Sequence, residues 1–287
     1  MRRAVNKQNK AVEAASIERM FFLIQFNRFP GGTRHILTMS YDDGADADRR
    51  LVEIFNRYGI RGTFHLNSGF FDMEGKISRK EVSALYQGHE VSCHTLTHPY
   101  LERLPAVSVA KEILADRENL EPLCGYPVRG MSYPYGTYSE GVLKALESCG
   151  IVYSRTTQAT HNFGFPRDFL TWHPTCHHSD RLMEHAAQFL EDQACPWRSD
   201  LFYVWGHSYE FDRNDNWELI EEFCAKVSGQ KEVWYATNIE IYDYWQALKA
   251  LRISADGRML HNPSAAPVWV SANGETVEIK GGATVRL

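Results

Sequence analysis

The chain has 287 residues, of which 44% are hydrophobic and 23% charged, a composition typical of a globular protein. Its 31 Lys and Arg residues against 36 Asp and Glu residues give a net charge of −5, which argues against a nucleic-acid partner. No apolar run approaches the roughly 20 residues that cross a bilayer, and the composition excludes collagen, coiled coils and long disordered chains.

Residues 1–20 are largely polar, and we expect them to form a loose N-terminal tail. Arg2 and Arg3 open this tail, but no uninterrupted apolar segment of a secretory signal follows. A cytoplasmic location is therefore the default expectation. The six cysteines include no CxxC pair, which favours buried, reduced thiols over disulfides.

From residue 36 onwards, short apolar runs alternate with stretches of helical spacing. Strands are predicted over 36–41, 63–66, 90–93, 127–133, 151–154, 201–205 and 233–236. Helices are predicted over 48–58, 78–88, 106–120, 139–149, 181–190, 217–227 and 239–250, the second opened by the capping-box spacing of Ser78 and Glu81. This alternation predicts a parallel sheet, and about seven such units favour a barrel, here over residues 21–250.

Residues 251–287 differ in character from the rest of the chain. Asn273-Gly274 separates two β-branched runs at 268–270 and 277–279, which is a strong hairpin signal. We expect this segment to be a small β-hairpin appendix packed on the barrel.

Two adjacent carboxylates, Asp42 and Asp43, follow the first predicted strand and precede Gly44. Neighbouring carboxylates repel each other and are hard to bury together, unless a cation lies between them or the two have different functions. An ordinary Asp-Gly turn is the alternative. Successive side chains diverge at a strand end, so one carboxylate can bind a metal while the other faces a substrate.

Two histidines four residues apart, His94 and His98, follow the predicted strand at 90–93. On one helical turn both imidazoles can reach the same ion, and Pro99 favours a loop here over a long helix. A surface pair is the alternative. Two His with one Asp give three ligands and leave positions for water and substrate, as in a catalytic metal site.

His207 follows the late strand at 201–205, where a histidine can act as a general acid near neutral pH. A satisfied loop histidine is the alternative. The two aspartates, the two histidines, the Pro134-Tyr135 pair and His207 all follow predicted strands. In a parallel α/β barrel these strand ends share one face, the face on which active sites are built.

The motifs resemble those of the NodB-homology polysaccharide deacetylases, carbohydrate esterase family 4, over residues 34–248. The family's Thr-Phe-Asp-Asp-Gly corresponds to Ser40-Tyr41-Asp42-Asp43-Gly44, and its His-[Ser/Thr]-x-x-His to His94-Thr95-Leu96-Thr97-His98. The resemblance implies an irregular (β/α)7–8 barrel of that type. It further implies Asp42 as general base, and Asp43, His94 and His98 as ligands of a divalent metal, with zinc favoured.

The later motifs match in part. The resemblance implies that the Tyr135 backbone N–H helps bind the oxyanion and that His207 is the general acid. The family's arginine before Pro-Tyr is missing, and Arg129 lies five residues before Pro134. Trp205 and Tyr135 are candidates for stacking on sugar rings, together with Trp172 and Tyr209, and core packing is an equal alternative.

Two further segments remain open. Asp168-Phe169-Leu170-Thr171-Trp172 only partly resembles the family's fourth motif, so it assigns no carboxylate to the catalytic histidine. His173-Pro174-Thr175-Cys176-His177-His178 offers four possible zinc ligands, but neighbouring histidines do not easily face one ion. We favour an interpretation in which part of this segment lines the cleft.

The expected function is metal-dependent removal of acetyl groups from N-acetylated sugars or polysaccharides, through a water activated by the metal. One alternative is a metal-dependent amidase or O-acetyl esterase acting on a small substrate. Another is a catalytically silent carbohydrate-binding relative. The sequence leaves the substrate, the metal used in the cell and the oligomeric state open.

Overall fold

A computed structural model describes residues 23–193, 195 and 198–287. His35–Asp243 forms one compact unit, and Tyr244–Leu287 joins the segment before His35 in a second. The loose tail predicted at residues 1–20 lies outside the described residues. No helix in the described ranges has the length and apolar character needed to cross a membrane.

The described strands and helices are numbered in chain order. The strands are β1 Ile24–Gln25, β2 His35–Asp42, β3 Gly62–Leu66, β4 Glu90–Cys93, β5 Gly130–Ser132, β6 Tyr153–Arg155, β7 Cys176–His177, β8 Asp200–Gly206, β9 Val233–Tyr235, β10 Arg252–Ile253, β11 Met259–His261, β12 Val268–Ala272, β13 Glu275–Ile279 and β14 Thr284–Arg286. The α-helices are α1 Asp48–Tyr58, α2 Val82–Leu85, α3 Ala106–Cys124, α4 Glu140–Ser148, α5 Leu182–Asp192, α6 Tyr209–Arg213, α7 Trp217–Val227 and α8 Asn238–Lys249.

The larger unit is built on one parallel sheet. Its strands pair in the order β6-β5-β4-β3-β2-β8-β7, and β9 also pairs with β2. Among the described strands no pairing joins β6 to β7, so the sheet curls into an incomplete barrel. The predicted α/β class and barrel-like parallel sheet are thus confirmed, with the barrel open on one side.

Strand β2 lies at the centre of this sheet and is buried along its whole length. Tyr41 on β2 pairs with Gly206 on β8, and Asp42 pairs with His65 on β3. These registers bring the carboxyl ends of neighbouring strands to one edge, where parallel sheets place their ligand sites.

Most predicted helices form close to the expected positions. Helix α1 covers the predicted residues and ends at Gly59, whose left-handed conformation closes it. Helix α2 is shorter than predicted, because it begins only at Val82. The predicted capping contact is nevertheless present: the Glu81 side chain accepts a hydrogen bond from the Ser78 backbone N–H at 2.5 Å.

The smaller unit contains two antiparallel sheets, with strand orders β1-β12-β13 and β10-β11-β14. The predicted hairpin is confirmed by β12 and β13, which are joined at Asn273 and Gly274, both with positive φ. The second sheet was not predicted, because its strands are only two or three residues long.

Candidate metal and proton-transfer site

The first predicted motif forms a sharp turn at the end of β2. Asp42 is the last residue of the strand and is 2% exposed, whereas Asp43 has a left-handed backbone with φ of 79°. Gly44 follows with φ of 56°. Asp tolerates this conformation better than most residues, and the turn sends the two carboxylates in different directions.

The second motif is a loop after β4 rather than a helical turn. Thr95 and His98 have positive φ values of 68° and 57°, and the His98 N–H donates to the Thr95 hydroxyl at 3.1 Å. Asp116 accepts from the His94 N–H at 3.2 Å, and Glu112 accepts from Thr97. The imidazoles therefore meet by loop geometry, with ring centroids 4.7 Å apart.

The structure brings Asp43, His94 and His98 together. Asp43 Oδ1 lies 3.7 Å from His94 Nε2 and 3.9 Å from His98 Nε2. These distances are too long for hydrogen bonds, but they are close to the roughly 3.3 Å that separates tetrahedral ligands bound at 2.0–2.1 Å. One ligand atom from each of the three residues lies within 4.8 Å of the others.

The hydrogen bonds of His94 favour metal binding at this position. Its Nδ1 donates to the Ser132 carbonyl at 2.9 Å, so the neutral ring has its lone pair on Nε2, which faces Asp43. Metal-binding histidines usually have such a donor bond on the other nitrogen. Burial, and next the nearby His94, lower the pKa of His98 to about 4, so this imidazole is neutral at pH 7.

Asp42 lies beside this group, bound to a buried cation. Arg155 Nη2 donates to Asp42 Oδ2, and the Ser132 hydroxyl donates to Oδ1 at 3.0 Å. Burial raises the pKa of Asp42, but the Arg155 guanidinium and then the nearby His94 outweigh it and hold this pKa well below its usual range. Asp42 is therefore ionised at neutral pH.

Arg155 is a residue that the sequence analysis missed. It ends β6, is fully buried, and its guanidinium lies 4.3 Å from the centre of the Trp205 ring. Arg129 instead pairs with Asp243 at 2.5 Å on the surface. The signal that could have found Arg155 is its position: it directly follows the predicted strand at 151–154, as the other site residues follow theirs.

His207 lies just beyond β8, and a carboxylate contacts it. Glu210 on α6 places Oε1 3.4 Å from His207 Nδ1. Burial lowers the pKa of His207, but the Glu210 contact and then the charges of Asp42 and Asp43 raise it above its usual value. The sequence analysis assigned no carboxylate to His207, and the structure places Glu210 beside it. The signal that could have found Glu210 is its spacing, three residues after His207, which is the spacing of neighbours on a helical turn.

Tyr135 and Trp205 occupy different environments. Tyr135 is 49% exposed, has φ of 59°, and stacks on Tyr100 with ring centroids 3.7 Å apart. Trp205 is 9% exposed and packs against Arg155. Trp172 is 1% exposed, which for this residue favours core packing over sugar stacking.

The segment that offered a rival zinc site is dispersed. His173 bonds Thr156 at 2.6 Å and Cys176 is buried in the core, whereas His177 and His178 both approach Glu210. Asp168 caps a 3-10 turn by accepting from the Leu170 N–H. These residues do not converge on one point.

Two other donor groups occur in the described ranges, and their chemistry is less suited to a cation. The first group is His177, His207 and Glu210. Here the Ser179 N–H donates to His177 Nδ1 at 3.2 Å, so the neutral His177 ring has its proton on Nε2. The nitrogen that faces Glu210 therefore has no lone pair to offer a metal. In His161–Asp180–His185, the Arg181 guanidinium lies 3.4 Å from both His161 and Asp180.

Comparison with known proteins agrees with this geometry. Residues 30–154 match the family described as polysaccharide deacetylase. Over this segment the chain is similar to the polysaccharide deacetylases. It includes Asp42, Asp43, His94, His98 and Tyr135, whereas Arg155, His207 and Glu210 lie beyond it.

Curated relatives of this family match parts of the chain. A chitooligosaccharide deacetylase of Bradyrhizobium sp. (strain ANU 289) is 27% identical over 141 residues, which are 48% of this chain and 60% of the relative. A chitin deacetylase of Arthroderma benhamiae is 30% identical over 115 residues, 38% of this chain and 30% of the relative. The chain thus spans less than two thirds of the length of these polysaccharide deacetylase relatives.

Solved structures share the polysaccharide deacetylase fold. A Mycobacterium smegmatis protein assigned to the polysaccharide deacetylases has a TM-score of 0.58 at 17% identity, covering 77% of this chain and 93% of its own. The Xyl-CE4 domain of a multidomain xylanase from the hindgut metagenome of Trinervitermes trinervoides has a TM-score of 0.51 at 13% identity, covering 74% and 91%. At these identities the likeness concerns the fold.

Proposed function

We propose that this protein hydrolyses the acetamide bond of N-acetylated amino sugars, and that the reaction requires a divalent metal. The observation that carries the proposal is the convergence of Asp43, His94 and His98 beside the separate, ionised carboxylate of Asp42. The relatives named as chitooligosaccharide and chitin deacetylases support this class of substrate.

Asp43, His94 and His98 would hold the metal, and their nitrogen and carboxylate donors suit zinc. A metal at this position supplies Lewis acidity and makes water a nucleophile near neutral pH. Three protein ligands leave room for water and substrate, as in catalytic rather than structural zinc sites.

Asp42 would act as the general base. Arg155 and Ser132 fix its orientation, and its low pKa keeps it free of a proton and able to accept one. A general base must be ionised before it can accept a proton, and the ion pair with Arg155 meets this condition.

His207 would protonate the leaving amine, which leaves poorly as an anion. Its raised pKa favours the protonated form that a general acid requires. The Tyr135 backbone N–H would stabilise the oxyanion, and its exposed ring would contact the sugar together with the edge of Trp205.

Acetate release from N-acetylglucosamine oligomers tests the proposal, with an O-acetylated sugar and a small N-acetyl amide as parallel substrates. We expect release from the oligomers that chelator abolishes and zinc restores. Asp42→Asn should lose turnover and keep the metal, whereas Asp43→Asn should lose both. Preference for the O-acetyl ester or the small amide would contradict the assigned substrate class, and activity unaffected by chelator would contradict the metal.

A further inference from the structure

Two neighbouring imidazoles, those of His177 and His178, lie against the carboxylate that faces His207. We propose that they are positioning residues: they hold Glu210 in the orientation that fixes His207 as a proton donor. This inference rests on the proposed function, because it concerns the general acid of that reaction.

The two oxygens of Glu210 have different partners. Oε2 lies 3.0 Å from His177 Nε2 and 3.1 Å from His178 Nε2. Oε1 lies 3.4 Å from His207 Nδ1 and 3.3 Å from Arg213 Nη2. Since Arg213 is 64% exposed, its ion pair contributes little to the orientation of Glu210. The main contacts of this carboxylate are therefore the two imidazoles.

The neighbours of each imidazole determine which nitrogen has the proton. His177 Nδ1 accepts from the Ser179 backbone N–H at 3.2 Å, so the neutral ring has its proton on Nε2. His178 also places Nε2, not Nδ1, beside the Glu210 carboxylate, and this negative charge favours a proton on Nε2. Both rings therefore place Nε2 next to the same carboxylate oxygen, at 3.0 and 3.1 Å.

This arrangement has a consequence for His207. Both imidazoles pack against Oε2, which restricts rotation of the carboxylate and keeps Oε1 on the side of His207 Nδ1. The negative charge beside His207 Nδ1 favours a proton on that nitrogen, which leaves Nε2 to exchange a proton with the substrate. The charged groups acting on His207 are Glu210 from α6 and Asp42 and Asp43 from the end of β2, while the His177 ring lies 6.3 Å from the His207 ring.

His177 is the better residue to change, because it is partly exposed. His178 is packed between Tyr41 and Phe211, so its replacement would disturb the core. His177→Leu removes the donor, and His177→Gln keeps an N–H near the position of Nε2. His161→Leu is the matched control, a histidine with 45% side-chain exposure that has no contact with Glu210 in the structure as described.

In acetate-release kinetics, His177→Leu should lower kcat about tenfold and change KM by no more than about twofold. This loss in kcat is smaller than the ~100-fold loss expected when a general acid is removed. His177→Gln should recover most of the loss, and His161→Leu should match wild type. Metal content and thermal unfolding report whether each variant is folded. Unchanged kcat in folded His177→Leu, or equal loss in His177→Gln, would overturn the proposal.

A second readout is independent of turnover. In the 15N-labelled full chain, long-range 1H–15N correlation shows which imidazole nitrogen has the proton. We expect Nε2–H on His177 and Nδ1–H on His207, with the His207 preference weakened in His177→Leu. A proton on His177 Nδ1 would refute this inference by itself, whereas wild-type protein that releases no acetate from any substrate would refute the proposed function.

Discussion

Replacing Arg155 by methionine should destabilise the fold in a strongly pH-dependent way. The side chains of Arg155 and Asp42 are 0% and 3% exposed, so water does not screen their interaction. Methionine of similar length fills the space and leaves Asp42 as a buried carboxylate without its cation. Removing one partner of a buried ion pair costs about 3–5 kcal/mol.

The sign of the pH effect follows from Asp42. In wild type its folded-state pKa is depressed, so the pair stabilises the fold at all pH values above the ordinary carboxyl pKa of about 4. In Arg155→Met the strongest opposing charge is lost, and we expect burial, the largest single effect on Asp42, to raise its pKa above the unfolded value. The variant therefore binds a proton on folding, and its stability falls as the pH rises above about 4.

Urea unfolding of wild type and Arg155→Met at pH 4.5 and pH 8 measures this difference. We expect a loss of about 3–5 kcal/mol at pH 8 and a clearly smaller loss at pH 4.5. Adding Asp42→Asn should restore most of the stability at pH 8, because no charge is then buried. Arg129→Met, which breaks an exposed pair, should cost less than about 1 kcal/mol at either pH. Equal losses for Arg155→Met at both pH values, or no rescue by Asp42→Asn, would refute the reasoning.

Two further perturbations test the packing around the site. Gly206→Ala would place a Cβ 2.0 Å from Nδ1 of the buried His178, so we expect the free energy of unfolding, measured with denaturant, to fall by about 3 kcal/mol or more. Gly141→Ala, at an exposed position on α4, should be neutral or slightly stabilising. Equal effects of the two substitutions would contradict the close contact. Burial raises the pKa of Asp48 to about 7, although hydrogen bonds from Ser208 and Tyr86 oppose this rise. The folded state therefore favours neutral Asp48. The stability that this preference contributes is complete below about pH 4 and is lost as the pH rises to about 7. Asp48→Asn should therefore gain stability relative to wild type by up to about 4 kcal/mol between pH 4 and pH 7, and a difference independent of pH would show that Asp48 is ionised throughout.

Much of the fold could be predicted because its signals are local. Helices α1 and α7 have regular apolar spacing and form over the predicted residues. Strand β7 was missed because two residues between long loops show no periodicity. Helix α6 was missed for the same reason: with five residues, it is too short for a hydrophobic face to repeat.

The candidate site divides along a similar line. Asp42 and Asp43 are adjacent and His94 and His98 are four residues apart, so each pair could be recognised from spacing, and their position after predicted strands placed both pairs on one face. The contacts of Arg155 with Asp42 and of His177 with Glu210 join residues more than 30 positions apart, and they depend on strand register. Strand register cannot be predicted from residue spacing in a single sequence, so these contacts could not be predicted either.

Strand β2 pairs with three other strands and supplies Asp42, whereas Glu210 lies on the five-residue helix α6. Backbone amides of β2 should therefore exchange with deuterated solvent only in global unfolding, while those of α6 exchange through local opening. Asp42 then stays in place through most thermal fluctuations, and the Glu210 side of the site is the part that opens first.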